Sequence, residues 1–306
     1  MLNISSRQLR IFVSAAKHLN FTRAAEEVHI SPPAVSMQIK EIELQVDAAL
    51  FIKKGKKLQL SSAGEYFLNH ARYILQTLNE TEKVIQQLKG SKVEIIKVGI
   101  ISTAQYFLPQ VLKHFREEHS EYKIILEIRN REQLIGLLRD GKIDIAIMGL
   151  VPKEIDTKVY TITNHPHVFI ANFDHKLVSQ KKIQASALKD FDFISREKGS
   201  GTRAHMEAFM QDHDIQPNIV MEMSSNESIK QAVIAGLGIS FVSQHTIAAE
   251  LKTEQLKILN IIDTPINRKW HVVTLNPLSI NRSVELLKDF ILNHSETIIK
   301  KLLSQR

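Results

Sequence analysis

Apolar positions recur every three or four residues through the first part of the chain, which predicts short helices. Ser5 and Gln8 form a capping box ahead of apolar residues spaced over 9–16, so a first helix should reach about His18. Residues 21–40, FTRAAEEVHISPPAVSMQIK, then predict two short helices around a tight turn. Small residues in the first of these would let the second cross it closely, as a helix-turn-helix requires.

The second of these helices should begin at Pro32, because Ser31 can cap a helix and proline is tolerated at the first position. At about 100° per residue, its apolar side carries Val35, Ile39, Ile42 and Val46, and its opposite side carries Pro33, Ser36, Met37 and Lys40. The first side predicts a core contact, and the second suits DNA. An ordinary helical hairpin inside a core is the alternative that this pattern alone leaves open.

Two β-compatible segments follow, around Phe51 and at 58–60, joined at Gly55; they complete a winged helix-turn-helix. The lysines around this glycine are Lys53, Lys54, Lys56 and Lys57, and residues 1–60 hold nine Lys/Arg against five Asp/Glu, a net charge of +4. Basic side chains at a hairpin tip can neutralise DNA phosphates, which gives affinity without sequence preference. A solvated lysine loop is the alternative.

A second capping box, at Ser62 and Glu65, predicts a long helix that runs to about Lys89 and ends at Gly90. Seven positions along it alternate spacings of four and three: Phe67, Ala71, Ile74, Leu78, Thr81, Ile85 and Leu88. Such a heptad seam implies a partner helix, so we predict a homodimer through residues 62–89. A helix packed on its own domain is the alternative.

From residue 93 onward, short apolar runs alternate with helical segments, which is typical of buried strands in an α/β sheet. The predicted strands are 95–101, 123–128, 143–148, 168–171 and 239–242, and the predicted helices are 105–118, 131–139, 201–211, 226–235 and 281–303. The first two helices connect strands as βαβ units. We therefore divide the chain into a winged helix-turn-helix (1–60), a linker helix (61–90) and an α/β domain (91–306), whose two lobes cover about 91–163 with 268–306 and about 164–267.

Ligands of open α/β sheets bind beyond the carboxyl ends of strands, where helix N-termini present free N–H groups. Three segments of the chain fit this description: 102–104 after the first strand, 148–149 at the end of another, and 199–202 ahead of a helix. Arg196, Lys198 and Arg203 surround the last segment with only Glu197 opposed to them, so we expect a small anion. For any single hydroxyl among them, capping a helix is the alternative role.

Composition and the remaining motifs exclude several classes of protein. The chain is 43% hydrophobic and 24% charged, without an apolar run long enough for a membrane or a signal peptide, so we expect a cytoplasmic protein. It has no cysteine, which excludes disulfides and thiolate metal sites. His165 and His167 lack a carboxylate or third ligand at metal-binding spacing, so we predict no metal and expect surface histidines or fully hydrogen-bonded ones.

Enzymatic motifs are also missing. The segment GSGTR at 199–203 lacks the lysine of a phosphate-binding P-loop, and no GxSxG, HExxH or GxGxxG occurs. We therefore predict no catalytic residue, no cofactor and a protein that is not an enzyme.

Residues 9–65 resemble the N-terminal signature of LysR-type transcriptional regulators, through LRIFVSAAKHLNFTRAAEEVHISPPAVSMQIKEIE and then ALFIKKGKKLQLSSAGE. The resemblance covers the whole chain. It implies a winged helix-turn-helix, a linker helix that pairs in dimers, and a two-lobed effector domain similar to periplasmic binding proteins, usually assembled as a homotetramer. It also implies promoter DNA and a small metabolite as partners, with RNA polymerase as a further candidate.

Within this family, the effector half is most similar to regulators of Calvin-cycle (RuBisCO) operons, the CbbR group. The similar segments are ISTAQYFLP (101–109), NREQLIGLL (130–138), DIAIMG (144–149) and REKGSGTR (196–203). Such regulators respond to phosphorylated or otherwise anionic metabolites. After Gly149 the group typically continues with Arg-Pro-Pro, whereas this chain has Leu150, Val151 and Pro152, so the cleft lacks one expected cation unless Lys153 replaces it.

The residue patterns and the resemblance together nominate two sets of residues. The candidate DNA contacts are Thr22, Arg23, Ser31, Pro32, Pro33, Ser36, Met37, Gln38, Lys40, Lys53, Lys54 and Lys56. The candidate effector contacts are Ser102, Thr103, Ala104, Asn130, Met148, Gly149, Arg196, Ser200, Gly201, Thr202 and Arg203. Many family members have glutamine where this chain has Pro32, which cannot bond a base edge, so its neighbours and DNA shape should supply the specificity.

Two alternative functions stay open at this point. One is a LysR-type regulator of a different operon with an unrelated effector, and the other is a solute-binding protein that does not bind DNA.

Overall fold

A computed structural model describes residues 2–55, 57–88, 94–276 and 281–304. The chain forms two compact units, residues 1–92 (unit 1) and 93–306 (unit 2). Lys56, Lys89 and Gly90 lie outside the described residues, and so do the predictions made for this wing lysine and for the end of the long helix. Within the described ranges, no helix is both long enough and apolar enough to cross a membrane.

The described residues of unit 1 form four helices and one β-hairpin. In order, they are α1 (Ser6–His18), α2 (Phe21–Glu27), α3 (Pro32–Val46), β1 (Phe51–Lys54), β2 (Lys57–Leu60) and α4 (Ser62–Leu88). The predicted capping box of α1 is confirmed, since Ser5 and Gln8 each accept a hydrogen bond from the other's backbone N–H. Helix α3 begins at Pro32 with Ser31 as its cap, also as predicted.

The core of unit 1 forms where the apolar side of α3 meets α1, α2 and α4. Val35, Ile39 and Ile42 are all buried, as their helical spacing predicted. The ring of Phe12 is fully buried in the same cluster, with its centroid 4.8 Å from that of Phe67. The helix-turn-helix therefore has its own apolar core, and the opposite side of α3 is left to solvent.

Helix α4 is capped one residue earlier than predicted. The Ser61 hydroxyl accepts a hydrogen bond from the Gly64 N–H at 2.9 Å, so the predicted capping box at Ser62 and Glu65 is wrong. The shift arises because the helix begins directly after β2. A side chain on Gly64 would meet the carbonyl oxygen of Leu50 at 2.0 Å, so only glycine fits where the hairpin crosses this first turn.

Within residues 94–276 and 281–304, unit 2 is a nine-stranded sheet with helices on its faces. Its strands are β3 (Glu94–Ile100), β4 (Tyr122–Ile128), β5 (Ile145–Met148), β6 (Thr157–Asn172), β7 (Asp192–Arg196), β8 (Asn218–Met223), β9 (Ile239–Ser243), β10 (Leu256–Ile258) and β11 (Ile266–Leu275). Its helices are α5 (Leu108–Glu118), α6 (Arg131–Arg139), α7 (Gly201–Asp212), α8 (Asn226–Ile234), α9 (Ala248–Lys252) and α10 (Arg282–Ser304). Short 3-10 helices lie at Ser102–Tyr106, Ala185–Asp190 and Gln244–Thr246.

The sheet runs in the order β4-β3-β5-β11-β6-β9-β7-β8, with β10 paired to β6. Strand β3 is parallel to both β4 and β5, which confirms the two predicted βαβ units through α5 and α6. Strands β6 and β11 are antiparallel to each other and link the two halves of the sheet. The apolar runs missed β7, β8, β10 and β11, and they marked only four residues of the 16-residue β6.

Each half of the sheet has its own apolar core, so unit 2 has two lobes. Val98 and Phe115 belong to the first core, and Phe193 and Phe209 belong to the second. Strands β6 and β11 contribute side chains to both cores, and the predicted lobe boundaries near 163 and 268 fall inside these two strands. The two lobes therefore meet along a pair of continuous strands.

Helix α5 begins at Leu108 and not at the predicted Gln105. Residues Ser102–Tyr106 form a separate 3-10 helix, and Pro109 occupies the second position of α5, where its missing N–H costs no hydrogen bond. The chain therefore turns more tightly after β3 than predicted, with Thr103 buried inside that turn.

Candidate DNA-binding face and effector cavity

The side chains expected to contact DNA lie at the surface of unit 1. Thr22, Arg23, Ser31, Pro32, Pro33, Met37, Lys40, Lys53 and Lys54 are exposed, and Ser36 and Gln38 are half-buried. Met37 leaves 56% of its surface in water, although it lies on the same helix as the fully buried Val35. A large exposed apolar side chain beside basic ones suits contact with thymine methyl groups.

Two of the expected DNA contacts already have partners inside unit 1. The Ser31 hydroxyl accepts from the Ala34 N–H as the cap of α3. The Gln38 amide donates to the Glu41 carboxylate at 3.0 Å, and this carboxylate also accepts from Gln8 at 3.1 Å. Glu41 therefore occupies one of the two amide N–H donors of Gln38.

The predicted heptad seam is buried at the start of α4 and exposed further along it. Phe67 and Ala71 pack into the core of unit 1, as in a helix lying on its own domain. Ile74, Leu78 and Ile85 instead leave 45%, 47% and 47% of their surfaces exposed. The later part of the helix therefore carries an apolar stripe that this chain does not cover within its described residues.

A small cavity lies between the two lobes of unit 2, at the ends of β3, β5 and β7. Its lining includes eight of the eleven expected effector contacts: Ser102, Thr103, Asn130, Met148, Gly149, Arg196, Gly201 and Thr202. Its free volume is about 20 Å³, close to the need of a single water molecule. A metabolite larger than this space therefore fits fully between the lobes after the lobes or the lining side chains move apart.

Three expected effector contacts do not line this cavity. Ala104 is buried in the core of the first lobe, and Ser200 is buried at the start of α7 without a side-chain cap bond. Arg203 donates to Glu207 at 2.7 Å and to Glu222, so its charge is already paired.

The charge of Arg196 is also neutralised inside the protein. Its guanidinium is 5% exposed and donates to both carboxylate oxygens of Glu197, at 2.8 and 3.0 Å, and to Asn226 at 3.0 Å. Asn226 in turn donates to the Ser102 hydroxyl at 3.1 Å, which joins the second lobe to the first. Lys198 is exposed, so the expected surplus of positive charge does not reach the cavity.

Arg131 lines the cavity, although the sequence reasoning missed it. It donates to the carbonyl oxygens of Leu150 and Val151, each at 3.2 Å, and pairs with Glu154 at 3.0 Å. Its hydrogen bonds lower the pKa of Glu154 to about 2. Lys153 is exposed and does not line the cavity, so it does not replace the missing cation.

A second contact between the lobes lies on α8. Tyr106, from the first lobe, donates to Glu227, and the Lys230 ammonium lies 5.2 Å from the centre of the Tyr106 ring. Lys230 is buried and pairs with Glu227 at 2.7 Å and Glu250 at 2.8 Å. Together with the Asn226 to Ser102 bond, this network holds the lobes in the observed arrangement.

Three buried histidines, His165, His167 and His205, line the cavity, against expectation. His165 stacks on Trp270 with ring centroids 3.8 Å apart, and its Nε2 lies 2.9 Å from the Ser243 hydroxyl. The expectation of surface or fully hydrogen-bonded histidines is wrong, since Nδ1 of His165 and Nε2 of His167 have no partner among the described residues. Spacing of two residues along β6 puts both rings on one face, which only a strand assignment at 157–172 could have revealed.

Burial is the first cause that lowers the pKa of these histidines. It lowers the pKa of His167 to about 3, with His205 as the next cause. It also lowers the pKa of His205 to about 4, helped by Arg268. The rings are therefore neutral at pH 7. Among the described residues, no group of three or more His, Asp or Glu side chains has the arrangement of a metal site.

Comparison with known proteins identifies families for both units. Residues 6–65 match the bacterial regulatory helix-turn-helix protein, lysR family, and residues 89–296 match the LysR substrate binding domain. The chain is 40% identical to the HTH-type transcriptional regulator CfxR of Cupriavidus necator, over 95% of this chain and 92% of that protein. It is 36% identical to the RuBisCO operon transcriptional regulator of Allochromatium vinosum, over 96% and 97%.

A solved structure agrees with these matches. The regulatory domain of CcmR from Synechocystis PCC6803, in complex with 2-PG, is similar with a TM-score of 0.65 and 33% identity, over 67% of this chain and 99% of that one. The helix-turn-helix and the two-lobed α/β domain thus occur in the order and with the sequences of one family. The chain belongs to the LysR family of DNA-binding transcriptional regulators.

Proposed function

We propose that this regulator controls a carbon-fixation operon and responds to a small anionic metabolite bound between the lobes of unit 2. The observation that carries the proposal is the cavity at the strand ends, where hydroxyls, an asparagine and three histidines converge. Relatives named as RuBisCO operon regulators support the choice of operon. A LysR-type regulator of another operon with an unrelated effector is the alternative.

The proposed mechanism is a shift between two arrangements of the lobes. The observed cavity holds about 20 Å³, and the Asn226 to Ser102 and Tyr106 to Glu227 bonds hold it closed. An effector that fits only a wider cavity favours the arrangement in which these bonds are broken or rebuilt. By reciprocity, any factor by which the effector changes DNA affinity is also the factor by which DNA changes effector affinity.

A gel-shift titration at low salt tests this proposal. The purified protein should bind DNA from upstream of its own gene or a neighbouring gene, and 2-PG, the ligand of the CcmR domain, should change the mobility or affinity of the complex. If the protein shifted neither of these DNA fragments, they would not be its operators. A shift that 2-PG leaves unchanged would favour the unrelated effector.

We propose that Thr22, Arg23, Ser31, Pro32, Pro33, Ser36, Met37, Gln38, Lys40, Lys53, Lys54 and Lys56 form the DNA contact surface. Lys53→Ala should weaken binding to every sequence and reduce the salt slope by about 0.9, the value for one phosphate contact. Met37→Ala should reduce the preference for the operator and leave that slope unchanged. Lys182→Ala, an exposed lysine of unit 2, is the matched control and should change neither.

We also propose that the eight lining residues named above contact the effector, with Ala104, Ser200 and Arg203 in supporting positions behind them. Thr202→Ala should weaken the effector response and leave DNA affinity without effector nearly intact. An equal loss of both would assign Thr202 to folding.

The exposed stripe of α4 supports a homodimer through residues 62–89, which the family further assembles as a tetramer. Leu78→Asp should convert the protein to lower oligomers in sedimentation at micromolar concentration, because a charge would be buried in the seam. Asn79→Asp, one residue on and outside the seam, is the matched control. An unchanged sedimentation coefficient for Leu78→Asp would exclude this dimer.

This proposal keeps the division into residues 1–60, 61–90 and 91–306, with the lobe boundaries given above. Promoter DNA in the cytoplasm is the site of action that it implies, and RNA polymerase is a further partner to be tested on the promoter complex.

A further inference from the structure

The effector cavity contains an unusual concentration of buried polar atoms without partners. Thr103 Oγ1, His165 Nδ1, His167 Nε2 and His205 Nδ1 have no hydrogen-bond partner within the described part of the chain. The four residues are between 1% and 6% exposed, and all of them line the cavity. Since buried polar atoms in proteins nearly always have partners, their convergence indicates a polar guest.

The arginines of the lining offer no free charge for an anion. Arg196 is held by both oxygens of Glu197 and by Asn226, and Arg131 is held by Glu154 and two backbone carbonyl groups. An anion would have to compete with Glu197 or Glu154 for either guanidinium. The counter-charge must therefore come from another part of the lining.

The protonation of His167 follows from its contacts. Its Nδ1 lies 3.1 Å from the carbonyl oxygen of His165, which can only accept, so Nδ1 carries the hydrogen. In the neutral ring of His167, which lines the cavity, Nε2 is then a buried acceptor without a partner among the described residues, and it repels an anionic oxygen. The ring stacks on Phe241, with centroids 5.4 Å apart and planes 13° apart, so it cannot turn away freely.

Titratable groups surround this ring on several elements. They are His165 on β6, His205 on α7, His245 after β9 and Arg268 on β11. Arg196 on β7 and Arg131 on α6 line the same cavity, paired with Glu197 and Glu154. Of these, His205, His245 and Arg268 oppose a charge on His167. Without an anion, the ring therefore stays neutral.

We propose that the cavity binds its anion together with one proton, which lies between an anionic oxygen and Nε2 of His167. The proposal rests on the proposed function, in which an anion enters this cavity. A dianion, a neutral His167 and one proton from solvent give an imidazolium that donates through Nε2 to the anion. An anion that already carries a proton donates it to the same atom, and then no proton is taken up.

Sulfate and inorganic phosphate distinguish these two cases on the full-length protein. Sulfate remains an unprotonated dianion between pH 6 and 8, and at pH 8, where the two anions are compared, phosphate is mainly HPO4²⁻, which carries one proton of its own. In calorimetry with two buffers of different ionisation enthalpy, each bound sulfate should take up about one proton, and its affinity should fall roughly tenfold per pH unit as pH rises. Phosphate should take up little or none.

A variant assigns the proton to one atom. Glutamine at position 167 puts an amide N–H near the place of Nε2, so His167→Gln should bind sulfate without proton uptake and with little dependence on pH. His114→Gln, at an exposed site on α5, should behave like the unchanged protein. Thermal unfolding checks that both variants fold.

Three other outcomes would each reject a different part of the proposal. Sulfate binding without proton uptake would reject this inference and leave the anion cavity in place. Proton uptake that persists in a folded His167→Gln would move the proton to another group and reject the assignment. No binding of either anion at tens of millimolar would reject the anionic effector itself, whereas DNA binding by gel shift is tested separately. Calorimetry in two buffers uses the unchanged protein. It can therefore reject the inference even if His167→Gln does not fold.

Discussion

The two candidate sites differ in how they keep their polar groups. On α3, Met37 and Lys40 are exposed to water and the apolar side chains behind them are buried, so these two need no partner within the protein. In the effector cavity, Thr103 and His167 are 1% exposed and keep polar atoms unpaired within the described residues. Each such atom costs about 1–3 kcal/mol until a partner arrives. The exposed side chains of α3 are solvated without DNA. In the cavity, a bound ligand would supply the hydrogen bonds that the buried polar atoms lack.

The largest effect that we expect from this difference is a loss of stability of unit 2 in acid. His167, His205 and His245 have an ordinary pKa of 6.5, and burial is the first cause that lowers it, to about 3, 4 and 4. Below pH 6.5 the unfolded chain takes up protons that the folded chain refuses, so the stability of unit 2 is full above 6.5 and falls as pH falls. Between pH 6.5 and 4 we expect a loss of several kcal/mol.

The single tryptophan, Trp270, is fully buried in the first lobe and reports on unit 2. Its fluorescence in urea titrations from pH 7.5 to 4.5 should show a midpoint that falls steadily with pH. His167→Gln should flatten this fall by up to about 1.4 kcal/mol per pH unit, and His114→Gln should not. A midpoint constant over this range would mean that the histidines are not neutral and buried.

A smaller effect tests whether the DNA face has a core of its own. Phe12 is fully buried against the rings of Phe51 and Phe67, at centroid distances of 5.5 and 4.8 Å. Phe12→Ala should cost about 3–5 kcal/mol and abolish DNA binding, because α1 supports α3. The Trp270 urea midpoint and sulfate binding should persist. Phe173→Ala, at a 59% exposed site, is the matched control. Loss of the Trp270 transition in Phe12→Ala would show that the units do not unfold separately.

The contrast also explains what the sequence could predict. Helix α3 follows from local rules, since a cap at Ser31, a proline at Pro32 and a period of 3.6 residues decide which side is buried. The parallel strand β5 is apolar throughout, and β3 is apolar apart from Glu94 and Lys97, so both are equally visible in the sequence. Strand β8 is not visible as an apolar run, because Asn218–Met223 lies at the sheet edge with most side chains exposed. Strand β11 is hidden because lysine and arginine are mixed with its apolar residues.

The effector cavity was only partly predictable for a related reason. Strand ends and helix starts mark Ser102, Gly149 and Thr202 as neighbours by topology alone. Charge neutralisation is different, because Glu154 lies 23 residues from Arg131 in sequence and reaches it only in the folded chain. The role of His167 depends on a carbonyl group two residues away and on the register of β6, neither of which has a local sequence signal.

The smallest effect concerns a charged group near the surface of unit 1. Glu27 accepts hydrogen bonds from Lys17 at 2.6 Å, Ser14 at 2.8 Å and His18 at 2.8 Å. Burial raises the pKa of Glu27, but these hydrogen bonds outweigh it and lower the pKa from 4.5 to about 2. Its contribution is therefore present above pH 4.5 and lost as pH falls toward 2, well below the range in which unit 2 weakens.

Because the Glu27 side chain is 37% exposed, water screens its ion pairs, and Glu27→Gln should cost below about 1 kcal/mol at pH 7. Native-state hydrogen exchange of the α1 amides measures this cost, with Glu26→Gln, its exposed neighbour, as the control. The difference between Glu27→Gln and the unchanged protein should be constant from pH 7 to 5 and vanish near pH 2. If the difference were the same near pH 2 as at pH 7, the charge of Glu27 would not stabilise unit 1, and acid would weaken only unit 2 through ionisable side chains.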